Sequence, residues 1–298
     1  MKTIKHVIGV AVLLWTCSVS GEIAKSAEES TGPTFVLAAL EENIWLPFKI
    51  PIVSIQPSEA KDRIFYFWFY ENTFFDALEK GYAKFHGDKP SRVSVKNEGS
   101  QAEFVATDDR KIRLDCQVVE DGVDLLLTAT NTTDYTWSEA SALCPCFFPG
   151  SPDPKHPDPP IDEIFRDDEK THTYFLGDKG LKMVETNTNL HFNHRLRDHI
   201  DRHIQAGEAD KNWGVHHDAV AGLMVRESSD GEWVAGIGWE DFLAAQGHNP
   251  LHCMHLSVRL GALEPGETKT VRGKIYLFKG DKEDCLKRFN NDFKRNDG

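Results

Sequence analysis

The sequence predicts an all-β fold: a large antiparallel β-sandwich with one inserted helix and a C-terminal helix. Three observations carry that prediction. Ser91–Asn131 holds four short segments that alternate or run apolar, separated by turn residues at hairpin spacing. Leu256–Leu260 and Thr270–Phe278 repeat the pattern on either side of Glu264-Pro265-Gly266-Glu267, where proline presets φ and glycine permits a turn. Helical periodicity is confined to two stretches, Leu190–Ala206 and the chain end.

Residues 1–21 read as an export signal. Lys2, Lys5 and His6 precede an apolar run, Val7–Trp15, which is too short to span a bilayer, and small residues follow at Ser18, Ser20 and Gly21. Residues 22–33 are polar and read as a flexible leader, leaving residues 34–298 as a single β-sandwich domain. The expected location is therefore secreted or periplasmic, and no later apolar run is long enough for a membrane span. The net charge is −13, and the signal region takes two lysines and no acid with it. That balance disfavours nucleic acid as a partner and suits a neutral or cationic one.

Taken in order, Thr34–Pro57 is broken by Pro47, Pro51 and Pro57 and suggests edge segments and loops. Arg63–Tyr70 is an unbroken aromatic run of strand length, as expected of a strand buried on both faces. Ser91–Lys96, Ala102–Thr107, Lys111–Val119 and Val123–Asn131 form an antiparallel meander. Cys144–Pro160 has seven prolines in seventeen residues and reads as a long surface loop. Ile161–Lys170 suggests a helical turn, and Thr173–Met183 a hairpin through Gly177-Asp178-Lys179-Gly180. Leu196, Ile200 and Ile204 make Leu190–Ala206 the inserted helix. Ala219–Arg226 and Trp233–Trp239 then pair across Ser228–Gly231. Asp281 caps a final helix that turns Leu286, Phe289 and Phe293 to the core.

Histidine is the side chain best suited to proton exchange or metal binding near neutral pH, and ten of the thirteen fall between His172 and His255. The first group is His248, His252, Cys253 and His255, on which His216-His217-Asp218 could converge from a neighbouring strand. His199 and His203 have the i, i+4 spacing of a zinc-binding helix but lack its glutamate, with Ile200 in that place. Cys144 and Cys146, with Cys253 and a histidine, could supply a four-ligand site, or form a disulfide to Cys253 or Cys116. Five cysteines follow the signal, so at least one thiol is unpaired in any disulfide pattern. Trp213, Trp233 and Trp239 lie close to the histidine-bearing strands, where an indole face could stack on a sugar ring.

Asp121–Asp134 (DGVDLLLTATNTTD) and Leu263–Phe278 (LEPGETKTVRGKIYLF) resemble strands of the large β-sandwiches of carbohydrate-active proteins. The galactose mutarotase-like superfamily is the most similar in size and order. The C-terminal part also resembles the ends of uncharacterised secreted bacterial proteins, which imply no reaction. The mutarotase resemblance implies a substrate-binding histidine on the strand after the Asn-x-Thr strand end. Here that region, Ala140–Phe148, holds Cys144 and Cys146 instead, so no family residue is carried across.

The leading expectation is an exported protein that binds or acts on carbohydrate. His217, His252 and His255 would exchange protons, oriented by Asp218 or Glu240; Trp213, His216, Trp239 and Glu240 would bind the sugar. No cofactor or metal is assigned in that reading. Its rivals are a non-catalytic cell-envelope or extracellular interaction module and a metal-binding protein using cysteine and histidine ligands.

Overall fold

A computed structural model describes residues 35–40, 52–58, 60, 63–77, 82–84, 93–98, 100, 101–107, 110–150, 163–167, 171–184, 191–196, 214–247 and 252–293. Two sheets of nine strands each, antiparallel except for the β12–β13 pair, account for most of them. The signal, the leader, Trp213, His199, His203 and His248 lie outside the described residues.

The first sheet contains β1 (Phe35–Leu40), β2 (Ile52–Pro57), β3 (Phe65–Ala77), β4 (Tyr82–Lys84), β9 (Ala142–Pro149), β12 (His191–His194), β13 (Gly214–His216), β16 (Phe242–Gly247) and β17 (Met254–Arg259). Its order is β1-β2-β3-β9-β17-β16-β12-β13, with β4 on the far part of β3. The second sheet contains β5 (Val93–Glu98), β6 (Gln101–Thr107), β7 (Arg110–Val119), β8 (Gly122–Asn131), β10 (Thr173–Gly177), β11 (Gly180–Met183), β14 (Ala219–Glu227), β15 (Trp233–Trp239) and β18 (Thr268–Lys279). It runs β11-β10-β14-β15-β18-β8-β7-β6-β5. The meander and both hairpins expected from the sequence are present in register.

Period-two alternation sends one face of each sheet into a shared core. Phe65, Phe67, Phe69, Phe147, Met254 and Leu256 of the first sheet meet Phe104, Leu114, Leu127, Ile237, Trp239 and Ile275 of the second. The outer face of the second sheet carries the closing helix α1 (Lys282–Asp292), whose Cys285 and Phe289 pack on Leu223, Val225 and Tyr276. Glycine makes that close approach possible. A β-carbon at Gly236 would sit 3.0 Å from the Cys285 sulfur, and one at Gly238 2.9 Å from the Phe289 ring.

Two expectations need correction. Cys144–Pro149 is no surface loop: it lies within β9, a buried strand between β3 and β17. The strand tolerates Pro145 because β3 slips register there, between Trp68 and Asn72, leaving a bulge opposite the residue that lacks an N–H. The inserted helix is also overturned at its start. His191–His194 is strand β12, paired in parallel to β13 and antiparallel to β16, while 197–206 lie outside the described residues. The hydrogen bonds offered by two neighbouring strands outweigh local periodicity here.

Candidate functional site

Strand pairing aligns side chains from separate parts of the chain on the outer face of the first sheet. Trp68 pairs with Cys146, Cys146 with His255, and His255 with Gln246. Directly opposed residues point to the same side, so these four form one row across β3, β9, β17 and β16. On the other side of the same strands lie the core residues Phe67, Phe147, Met254 and Ala245. The row is therefore a feature distinct from the sandwich core.

Its centre is a cluster of two thiols and an imidazole. His255 Nε2 stands 3.2 Å from Cys146 Sγ. A ligand atom from each of Cys146, Cys253 and His255 lies within 4.8 Å of the other two. All three residues are buried, with exposures of 2%, 3% and 9% respectively. The local chain explains the convergence. His252 adopts a φ of 54°, a left-handed conformation uncommon outside glycine, and turns the chain into β17. Cys253 and His255, two residues apart, then share one side. Two buried polar atoms on the same face have no hydrogen-bond partner among the described residues: Trp68 Nε1 and Ser257 Oγ.

Behind this cluster, Arg226 is buried at 1% exposure. Its Nε donates to Thr173 Oγ1 at 2.9 Å, and its Nη1 donates to the carbonyls of Phe165 and His252. Thr173 passes the chain on, donating to Asp167 Oδ2 at 2.6 Å. Burial alone would raise the Asp167 carboxyl. The hydrogen bond from Thr173 and the field of Arg226 instead hold it below the usual carboxylate range. Burial depresses the Arg226 guanidinium, and Asp167 and Cys253 act against that.

A second polar group occupies the β12–β13 edge. His217 Nδ1 lies 2.8 Å from the carbonyl oxygen of His194. A carbonyl only accepts, so Nδ1 of a neutral His217 carries the proton and Nε2 presents a lone pair. His194 is set the other way, its Nδ1 accepting from the Leu196 amide at 3.0 Å. Asn193 bridges strands by donating to Asp218 Oδ1 at 2.6 Å and accepting from the Ala219 amide. Lys182 reaches the other Asp218 oxygen at 3.3 Å. Burial would raise the Asp218 carboxyl, but Asn193 and Lys182 keep it below the ordinary value.

The residues singled out in the sequence thus fall into separate places. His255 belongs to the thiol cluster, and His252 turns its carbonyl to Arg226. His216 and His217 sit three strands away across the sheet, roughly 14 Å at 4.8 Å per strand. Asp218 faces Asn193 and Lys182, so the orienting contact for His217 is the His194 carbonyl. Trp239 is wholly buried in the core against Gly273 and offers no face to a ligand. Glu240 is engaged on the second sheet by Arg272, whose Nε donates at 2.9 Å.

Sequence reasoning missed the far side of the molecule. On the outer face of the second sheet an open trough of ≈ 680 Å³ is lined by β6, β7, β8, β18 and the end of α1. Glu103, Arg113, Asp115, Arg272, Lys274 and Asp292 contribute to its walls. Arg113 bridges Glu103 and Asp115 across the floor, which marks a solvated, internally neutralised surface. The alternation of charged residues within the meander was the available signal.

No protein-family model matches the chain, and no curated protein matches it. Solved structures do resemble it in overall strand architecture. One is the Slr1438 protein from Synechocystis sp. PCC 6803, with a TM-score of 0.45 and 8% identity over 84% of this chain and 98% of that one. A galactose mutarotase-like protein from Lactobacillus casei gives 0.38 and 10%, over 81% and 99%. A putative aldose 1-epimerase from Klebsiella pneumoniae gives 0.34 and 9%, over 84% of each. The resemblance to galactose mutarotase-like proteins is thus weak and of fold alone.

Proposed function

We propose that the protein is exported and that it binds and acts on a carbohydrate at the polar band of the first sheet. The observation that carries this reading is a band of hydrogen-bonding side chains on adjoining strands. His194, Gln246 and His255 are buried on the outer side of β12, β16 and β17, while Asn193, opposed by Ala245 on the core side, holds Asp218 beside His217 at the end of the band. Buried polar groups are costly unless paired, and the orphaned Trp68 Nε1 and Ser257 Oγ add to the demand for a hydroxyl-rich ligand.

In this reading His217 is the proton acceptor. The His194 carbonyl fixes the tautomer, leaving Nε2 to take the proton of the anomeric hydroxyl. Nε2 returns it to the ring oxygen as the bond between that oxygen and the anomeric carbon breaks, the open-chain aldehyde reclosing by the reverse transfer. Asp218, held by Asn193 and Lys182, anchors the chain immediately after His217.

Ligand-observed NMR against a panel of monosaccharides and oligosaccharides tests binding. Polarimetry on any responding sugar then tests turnover. His217→Ala should lower turnover at least tenfold, with binding largely kept. A panel in which nothing binds at millimolar concentration would remove the carbohydrate reading. Unchanged turnover in the His217→Ala protein would remove His217 from it.

A further inference from the structure

We infer that Cys146, Cys253 and His255 form a binding site for a zinc-type divalent metal ion. The sugar reading is not needed for this, since it places proton transfer on His217, outside the cluster.

The donor set is the first argument. Two thiolates and an imidazole are ligands that borderline and soft ions select, whereas calcium and magnesium take oxygen. Geometry is the second. Zinc held at about 2.3 Å from sulfur and 2.0 Å from nitrogen spaces tetrahedral ligand atoms roughly 3.6 Å apart. The observed 3.2 Å between His255 Nε2 and Cys146 Sγ, and the 4.8 Å limit on the whole trio, need only small side-chain adjustments. The ligands also come from two rigid neighbours, β9 and the entry to β17.

Charge balance is the third argument. Two buried thiolates are unfavourable alone, and a divalent ion brings the set to neutrality. Arg226, the nearby buried cation, is shared between Cys253 and Asp167, the latter reached through Thr173, and one shared cation does not offset two thiolates.

Strand register speaks against the competing disulfide. Cys146 is opposed by His255, which makes Cys253 its diagonal neighbour. Diagonal Cα atoms are roughly 7–8 Å apart, beyond ordinary disulfide reach. Three protein ligands leave a fourth coordination position open, as in zinc sites that bind water or substrate. Trp68, Gln246 and Ser257 share the face on which that position would open.

The test uses the full chain purified without an affinity tag or chelator. Elemental analysis should find about one zinc per chain. Exchange into Co²⁺ should give the intense near-ultraviolet band of thiolate-to-cobalt charge transfer. Cys146→Ser and His255→Ala should lose the metal, and Cys116→Ala, in the core of the other sheet, should keep it. The cobalt spectrum is read on the unaltered protein, so it decides even where a variant fails to fold. A protein that takes up neither zinc nor cobalt overturns the proposal. So does a Cys146–Cys253 disulfide found by mass spectrometry of the non-reduced protein.

Discussion

Lys274 and Asp121 meet at 2.8 Å beneath the closing helix, both buried. Asp121 also accepts from Arg288 of α1 at 2.8 Å, and Lys274 reaches Asp292 at 3.0 Å. The network ties the helix to β8 and β18. Burial opposes charge on both members. Hydrogen bonds from Lys274 and Arg288 nevertheless hold the Asp121 carboxyl below its ordinary value, and Asp121 raises the Lys274 ammonium above its own. Asp121 therefore adds stability above the unfolded carboxylate pKa, and that stability is lost as pH falls through its depressed folded value. Lys274 adds stability below the unfolded lysine pKa, lost as pH rises through its raised folded value. Asp121→Asn should cost about 2 kcal/mol at neutral pH and flatten the acid limb of the stability profile, as read from urea midpoints between pH 2 and 7.

Gly273 should not tolerate alanine. A β-carbon there would lie 2.3 Å from the ring of Trp239, which is fully buried and cannot retreat. Gly273→Ala should destabilise by about 1–3 kcal/mol and shift the tryptophan emission, whereas Gly266→Ala meets no atom within 4 Å and should report only its φ of 87°.

Arg226 should be intolerant of truncation for a different reason. Arg226→Ala would leave the buried Asp167 without its counter-charge and should cost about 3–5 kcal/mol. The Arg226→Met/Asp167→Asn double variant should recover part of that loss. A double-mutant cycle in chemical denaturation would show coupling; additive losses would mean the two act independently.

The final helix begins with a reciprocal capping box. Asp281 accepts from the Asp284 amide, and the Asp284 side chain returns to the Asp281 amide. Asp281→Ala should cost about 1 kcal/mol and speed amide exchange in the first turn of α1, with little change in the sheets.

Much of the strand architecture was legible because alternation and turn residues are local signals. The four meander strands pair in the expected order, with β7 and β8 joined at Glu120-Asp121; Asn97 and Glu98, read as turn residues, instead end β5, and Gly99 and Asp108-Asp109 lie outside the described residues. The failures were non-local. Pro145 reads as a loop marker, and nothing near it shows that β3 supplies a bulge between Trp68 and Asn72, far earlier in the chain. Leu196 suggests helical spacing, while the strand preceding it is made by partners at 214–216 and 242–247. Trp239 has the composition of a sugar platform, and only the inward parity of β15 consigns it to the core. Cys146, Cys253 and His255 were recognisable as ligand types, but their meeting depends on the pairing of β9 with β17.

That pairing also sets the order in which the molecule can be made. β9 has β3 on one side and β17 on the other, so the middle of the first sheet joins residues 65–77 to 254–259. A ribosome that has released only the first half of the chain can complete the β5–β8 meander, yet it leaves an aromatic strand edge waiting. The long loops closed by these pairings place folding in the slow, high-contact-order regime, with the nascent edge exposed to aggregation until the last third emerges.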